Sequence, residues 1–238
     1  MRVMGISTNI RILSYFSLTL IFFLVSFIPE YIVFYWFFNE QLGNILFYLF
    51  APLILTIVYI ISIIIFGLLH STFAVKLFLP APKAGKFSHH SGEGRLMALR
   101  LISDGLMKSM IKFISWIPII TNKIILPKML RLYGLKAGKN VHLASEVYID
   151  SCFTELGNNV FIGLRTSISC HYNQDQYLII NKVKIGNDVT VGAHCIVAPG
   201  CEIGDNSILG AMSFLVPAQK MDPNSVYIGR PGKKISER

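Results

Sequence analysis

From Ile185 to Val216 the chain repeats every six residues, in the units Ile185-Gly186, Val191-Gly192, Val197-Ala198, Ile203-Gly204, Leu209-Gly210 and Leu215-Val216. A fixed short period outranks local propensity in reading a sequence, and hexapeptide units of this kind stack into a parallel β-helix. Three short strands make one triangular coil of about eighteen residues. Ile185 therefore stacks on Ile203, Val191 on Leu209 and Val197 on Leu215, and the interior becomes columns of aliphatic side chains. Each buried Ile, Val or Leu contributes about 1.5–3 kcal/mol. The fifth place of successive units holds small or medium residues, Val189, Cys195, Cys201, Ser207 and Ser213, which suits a tight interior slot. Glycine or alanine in second place lets the backbone turn a corner where a larger side chain would crowd it.

An earlier block carries the same signature in Leu156-Gly157, Ile162-Gly163 and Ile168-Ser169, with Val160 and Thr166 in fifth place. Between the blocks the register breaks. Cys170-His171-Tyr172-Asn173-Gln174-Asp175-Gln176-Tyr177 does not fit the hexapeptide pattern and is expected to loop out of the prism. Loops on rigid scaffolds are where binding and catalytic groups concentrate.

The first third of the chain has a different character. Of the 238 residues 53% are hydrophobic, too many for an ordinary soluble globule of this size, so part of the chain is expected in lipid. Ile12 to Ile28 and Ile45 to Leu69 carry no charge, and the second run is long enough to span about 30 Å of hydrocarbon. The first lacks the small-x-small cleavage site of a signal peptide and reads as a retained helix. Arg2 and Arg11 precede the first run, and Lys76, Lys83, Lys86, Arg95 and Arg100 follow the second. The connector Asn39 to Asn44 holds Glu40 and no Lys or Arg. By the positive-inside rule both termini and everything after the second run are expected on the cytoplasmic side. The net charge of +9 reads first as a signature of an anionic membrane surface. No nucleic-acid motif accompanies it, so no nucleic acid partner is expected.

The expected organisation is a two-helix transmembrane hairpin over 1–75, a basic amphipathic linker over 76–133, and an all-β domain over 134–238. In the linker, Phe87 to Gly94 reads as a polar loop carrying His89 and His90. Arg95 to Ser115 reads as a helix with Arg100, Asp104, Lys108 and Lys112 along one side. Such a helix would lie in the headgroup plane, with packing on the prism as the alternative. Trp116 to Pro127 is apolar but short and broken by proline. Cys152, Cys170, Cys195 and Cys201 form no close metal-ligand pair, and the six histidines lack zinc spacing, so no metal is expected.

The hexapeptide units and the tail Gly229-Arg230-Pro231-Gly232-Lys233 resemble the left-handed β-helix acyltransferase superfamily. A closer resemblance covers Leu130 to Lys139, Cys170 to Asp175 and Val191-Gly192-Ala193-His194. These are similar to the membrane-bound C-terminal domains of nonribosomal peptide synthetases of the poly-lysine synthetase type, where hydrophobic helices also precede a prism. The resemblance implies an all-β left-handed parallel β-helix and an acyltransferase working as a homotrimer, with acyl-CoA, acetyl-CoA in the first instance, in a groove between neighbouring prisms. It implies His171 as the base and Ala193, Ala211 and Lys233 along the CoA groove. Where many CoA-using members have Thr-Lys after the last repeat this chain has Val216-Pro217, and Lys220 is the candidate substitute.

Acyl transfer from a thioester needs a base to take the acceptor's proton and a donor for the tetrahedral oxyanion. His171 meets the first requirement, with Asp175 or Glu155 as candidates to orient its ring. His194, expected to face outward by alternation with Cys195, is a supporting candidate. A Cys170–His171 nucleophilic pair is the less favoured arrangement, since neighbours on an extended segment point opposite ways. Two other readings stand beside the CoA-dependent enzyme: a carrier-protein thioester as donor, its acidic carrier meeting Lys182 and Lys184, and a noncatalytic trimeric scaffold.

Overall fold

The computed structural model describes residues 7–39, 45–112 and 125–238. The chain forms two compact units, Met1–Leu79 and Pro80–Arg238. The division falls at Leu79, a few residues beyond the expected end of the hairpin.

In the first unit, α1 (Thr8–Ser26) and α2 (Ile28–Asn39) meet at Phe27, whose N–H bonds back to Leu24 O. The third helix, α3 (Ile45–Leu69), runs on through a π-helical turn, His70–Val75, into the short α4 (Lys76–Phe78). Arg11 ties the two ends together by donating twice to Phe78 O, at 3.1 and 2.7 Å. Two stretches, Thr8–Trp36 and Ala51–Phe78, are long and apolar enough to cross a membrane, and only 11% and 22% of their most apolar windows is buried. Leu13, Leu24, Tyr31 and Ile32 all stand exposed, which a core helix would not allow. The expected connector lies largely outside the described residues.

The second unit is a triangular prism of parallel strands. Its first face stacks β2 (Lys136–Ala137), β5 (Thr154–Leu156), β10 (Val183–Ile185), β13 (Glu202–Ile203) and β16 (Lys220–Met221). The second stacks β3 (His142–Leu143), β6 (Phe161–Ile162), β11 (Thr190–Val191), β14 (Ile208–Leu209) and β17 (Ser225–Ile228), with β18 (Lys233–Glu237) antiparallel on its last edge. The third stacks β4 (Tyr148–Ile149), β7 (Ser167–Ile168), β12 (Ile196–Val197) and β15 (Phe214–Leu215). Ile185 pairs with Ile203, Val191 with Leu209 and Val197 with Leu215, as the repeat predicts. The inward columns, such as Ile149, Ile168, Val197 and Leu215, are fully buried, as are Val189, Cys195, Cys201, Ser207 and Ser213 in the tight slot. Tyr227 also turns inward, over Leu209.

The corners are close. A Cβ on Gly163 would sit 2.5 Å from Ala193 N, so this position has no room for a side chain. The fourth residue of most units takes a left-handed backbone, which explains Asn140, Asn159, Asp188, Asn206 and Asn224 along one edge. Their side chains form a ladder whose sequence steps report coil length: 19 from Asn140 to Asn159, 29 from Asn159 to Asp188, 18 from Asn206 to Asn224. The long step is the coil interrupted by the register break.

That break is an antiparallel hairpin, β8 (His171–Gln174) and β9 (Tyr177–Ile180), turning at Asp175. A third strand, β1 (Gly85–Ser88), pairs with β9. Part of the expected polar loop is therefore a strand, because Phe87 is buried there and β9 would otherwise present an open edge. The linker helix, α5 (Gly92–Lys112), buries Leu96, Met97, Leu99 and Met107. Two residues of its charged side dock on the prism: Asp104 is 1% exposed, and Lys108 Nζ donates to Ile149 O at 2.7 Å. The alternative of packing on the prism describes α5, since its charged side finds polar backbone on the first coil. A last helix, α6 (Leu126–Leu132), buries Leu126, Met129 and Leu130 at the start of the prism. Most of Trp116 to Pro127 lies outside the described residues.

Candidate active site

The prism passes from its third face to its first at a corner marked by Asp150 in the first coil and by Ser169 and Cys170 in the next. Asp150 N–H donates to Ile168 O, which fixes one coil upon the other. The hairpin leaves from this corner, and His171 is its first residue.

His171 Nδ1 lies 2.7 Å from Asp150 Oδ2, and the same oxygen accepts the Cys170 N–H at 2.7 Å. The Asp150 side chain is 1% exposed and that of His171 26%. Burial pushes the Asp150 carboxyl up. The bonds from His171 and Cys170 and the charge of Lys108 outweigh burial and hold it below the ordinary carboxylate value. An ionised Asp150 accepts, so Nδ1 donates to it, and Nε2 is the ring nitrogen left to serve as a base. Asp150 Oδ1 is buried without a hydrogen-bond partner among the described residues. The Tyr148 phenol next to it is pushed up by burial and by the Asp150 charge.

Asp150 was missed in the sequence because it lies in the irregular first coil, below the first recognised unit. A signal existed: stepping back 19 residues, the spacing of these two coils, sets Tyr148-Ile149-Asp150 under Ser167-Ile168-Ser169. Asp175, a candidate for orienting the ring, stands exposed at the hairpin tip. Glu155 is taken up with Lys136 at 2.9 Å and Lys182 at 3.8 Å. Cys170 is fully buried and its thiol pushed up to about 12 by burial, so it is no nucleophile partner for His171.

The other candidates lie elsewhere. Ala193, His194 and Ala211 occupy the corner between the second and third faces, with His194 in the left-handed turn position, where histidine is tolerated. The tail folds onto this end of the prism: Arg230 Nε donates to Met212 O, and Gly232 N–H to Phe214 O. Lys233 begins β18 opposite Ile228 and is exposed. Lys220 is on the first face, 3.0 Å from Glu202. Within one chain, then, His171 and the Ala193–Ala211 corner flank opposite edges of the third face. That face is uncharged on its outside, with Tyr148, Ser167, Ile196 and Phe214 in register.

The first face is charged along its length. Lys136, Glu155, Lys184, Glu202 and Lys220 stand in register with alternating sign, beside an open trough of about 570 Å³.

Residues 182–216 match the family described as Bacterial transferase hexapeptide (six repeats). Galactoside O-acetyltransferase of Escherichia coli K12 is 31% identical over 116 residues, 42% of this chain and 55% of that protein. Delta-poly-L-ornithine synthetase of Acinetobacter baumannii AB307-0294 is 24% identical over 106 residues, 44% of this chain and 8% of that protein. The chain thus spans about half the length of the first and a small part of the second. A maltose O-acetyltransferase from Clostridium difficile 630 shares the fold, at 20% identity and a TM-score of 0.51 over 65% of this chain and 92% of that one. These matches support a place in the left-handed β-helix, hexapeptide-repeat acyltransferase superfamily.

Proposed function

We propose that this protein is a membrane-anchored acyltransferase that moves an acetyl group from a CoA thioester to a hydroxyl or amine acceptor, with His171 as general base. The observation that carries this reading is the His171–Asp150 pair: a part-exposed imidazole held through Nδ1 by a buried carboxylate. The acetyltransferase relatives support the reaction class. His171 Nε2 takes the proton of the acceptor O–H or N–H as the acceptor attacks the thioester carbonyl carbon. The tetrahedral oxyanion collapses, the C–S bond breaks, and the same proton passes from Nε2 to the departing CoA sulfur. Asp150 stabilises the imidazolium formed between these steps and keeps the ring in its working tautomer.

The Ala193–Ala211 corner, lined by small residues, suits the pantetheine arm, with Lys233 as a cation for its phosphates; Lys220 stands on the first face, paired with Glu202, and is not part of this corner. Because this corner and His171 flank opposite edges of one face, a site using both draws on two chains. A homotrimer supplies three such sites and covers the uncharged third face. Lys182 and Lys184 are compensated by Glu155 and Glu202, which favours CoA over an acidic carrier protein as the donor's handle. The exposed apolar length of Thr8–Trp36 and Ala51–Phe78 supports the anchor, and the flanking Lys and Arg residues support a cytoplasmic prism.

The test is acetyl-CoA turnover by the purified full-length protein in detergent. His171→Ala is expected to lower it by about 10²–10⁴-fold; an undiminished rate removes His171 from the chemistry, and a wild-type protein that neither binds nor turns over any acyl-CoA overturns the enzyme.

A further inference from the structure

The buried polar cluster behind the His171 corner belongs to α5, outside the repeats. Asp104 Oδ2 accepts the Ser151 N–H at 2.8 Å, and its Oδ1 accepts the Ser151 hydroxyl at 2.8 Å. Lys108 Nζ bridges Asp104 Oδ2 at 3.2 Å and Ile149 O at 2.7 Å. It also lies 4.0 Å from the centre of the Tyr148 ring. The bonds from this pair to the prism all fall on Ile149 and Ser151, the two residues flanking Asp150. The Asp104 side chain is 2% exposed and that of Lys108 11%.

Stability alone is a poor reason for this pair. Two charges taken out of water lose hydration that their mutual attraction barely restores, and apolar residues of similar volume commonly stabilise as well or better. What apolar residues cannot supply is a fixed direction for the backbone at Asp150. The charges also matter. Lys108 supplies the positive charge of the cluster: it pairs with Asp104 and helps to hold the Asp150 carboxyl below its ordinary value.

We propose that Asp104 and Lys108 are positioning residues for the base: they clamp Ile149–Ser151 from outside the prism and so hold Asp150 Oδ2 against His171 Nδ1. The proposal rests on the reading of His171 as base. The other titratable and charged groups about the corner are Tyr148 on the third face, Cys152 and Cys170 at the corner, and Arg100 on α5. The neighbouring segments of β9 and β10, Leu178 to Ile180 and Val183, are apolar.

The experiment compares Lys108→Met and Lys108→Arg in the full-length protein, using acetyl-CoA turnover across pH and the proton resonance of the His171 Nδ1–H bond in histidine-labelled protein. For Lys108→Met the expected result is a fall in kcat of about 10–100-fold, the usual effect of losing a residue that orients a functional ligand, with KM for acetyl-CoA unchanged. The Nδ1–H resonance should move. The acidic limb of the profile should shift to higher pH, because removing a cation favours the protonated base. Lys108→Arg, which keeps charge and donors, should recover most of kcat. If Lys108→Met does not fold, Ser151→Ala, which removes one hydrogen bond, carries the test with a smaller effect in the same directions. Wild-type kcat in the variants that fold, or a loss of kcat with an unmoved resonance and acidic limb, overturns the clamp. A His171→Ala protein of full activity overturns the reading beneath it instead.

Discussion

Asp150 and His171 are 21 residues apart in sequence and 2.7 Å apart in space, because a single coil of the prism separates the two corners on which they stand. The distance is set by the rise from one coil to the next, so a carboxylate under the start of the hairpin has little freedom to be anywhere else. The pair is buried on one side and open on the other, as a base that must meet substrate requires.

Replacing Asp150 by Asn keeps the shape and removes the charge. The amide can present its N–H₂ to the ring, favouring the tautomer in which Nδ1 accepts and Nε2 holds the proton. The kcat of Asp150→Asn should fall by about 10²-fold or more, with KM for acetyl-CoA little changed, since the residue acts on the base and not on donor binding. Steady-state kinetics decide this, and an unchanged kcat would remove Asp150 from the site.

Acid stability should depend on the same carboxylate. Its value is held below that of the unfolded chain, so its ionised form stabilises the fold above the ordinary carboxylate range, and that contribution is lost as pH falls through the folded value. Chemical denaturation between neutral and acid pH should therefore show a steeper loss for the wild type than for Asp150→Asn. Parallel curves would contradict the assignment.

The four cysteines should be silent to thiol reagents in the folded protein. All are buried, and burial pushes Cys152 and Cys170 up to about 12 and Cys201 to about 11. A maleimide titration at neutral pH should label none of them rapidly and all four after denaturation. Fast labelling of Cys170 would reopen it as a nucleophile.

Gly163→Ala tests the corner geometry. The added Cβ would meet Ala193 N at 2.5 Å and Gly192 C at 2.6 Å, both backbone atoms fixed by the coil above. A loss of about 1–3 kcal/mol is expected, as for other overpacked sites. Thermal or denaturant unfolding would show it, and a neutral result would mean that the coils are spaced more loosely at this corner.

Shared sites make a further prediction about assembly. Mixing inactive His171→Ala and Lys233→Glu chains before reassembly should restore part of the acetyl-CoA turnover, since some sites then combine an intact His171 with an intact Lys233. Strict absence of complementation would confine each site to one chain.

The repeat was legible because a coil is a local event. Six residues decide which side chain points in, which must be small and where the backbone turns, so the columns through Ile185, Val191 and Val197 followed from spacing alone. The register break was legible for the same reason, and with it His171. Three things depended on tertiary contact. Asp150 meets His171 only once two unequal coils are stacked, and the first of them departs from the pattern that would have shown it. Gly85–Ser88 reads as loop until β9 offers it an edge. The charged stripe of α5 carries Asp104 and Lys108 in a spacing that looks solvent-facing, because amphipathicity reports only that two sides differ. Which side is buried was decided by the unpaired Ser151 N–H and Ile149 carbonyl on the prism, groups whose need for partners no sequence period records.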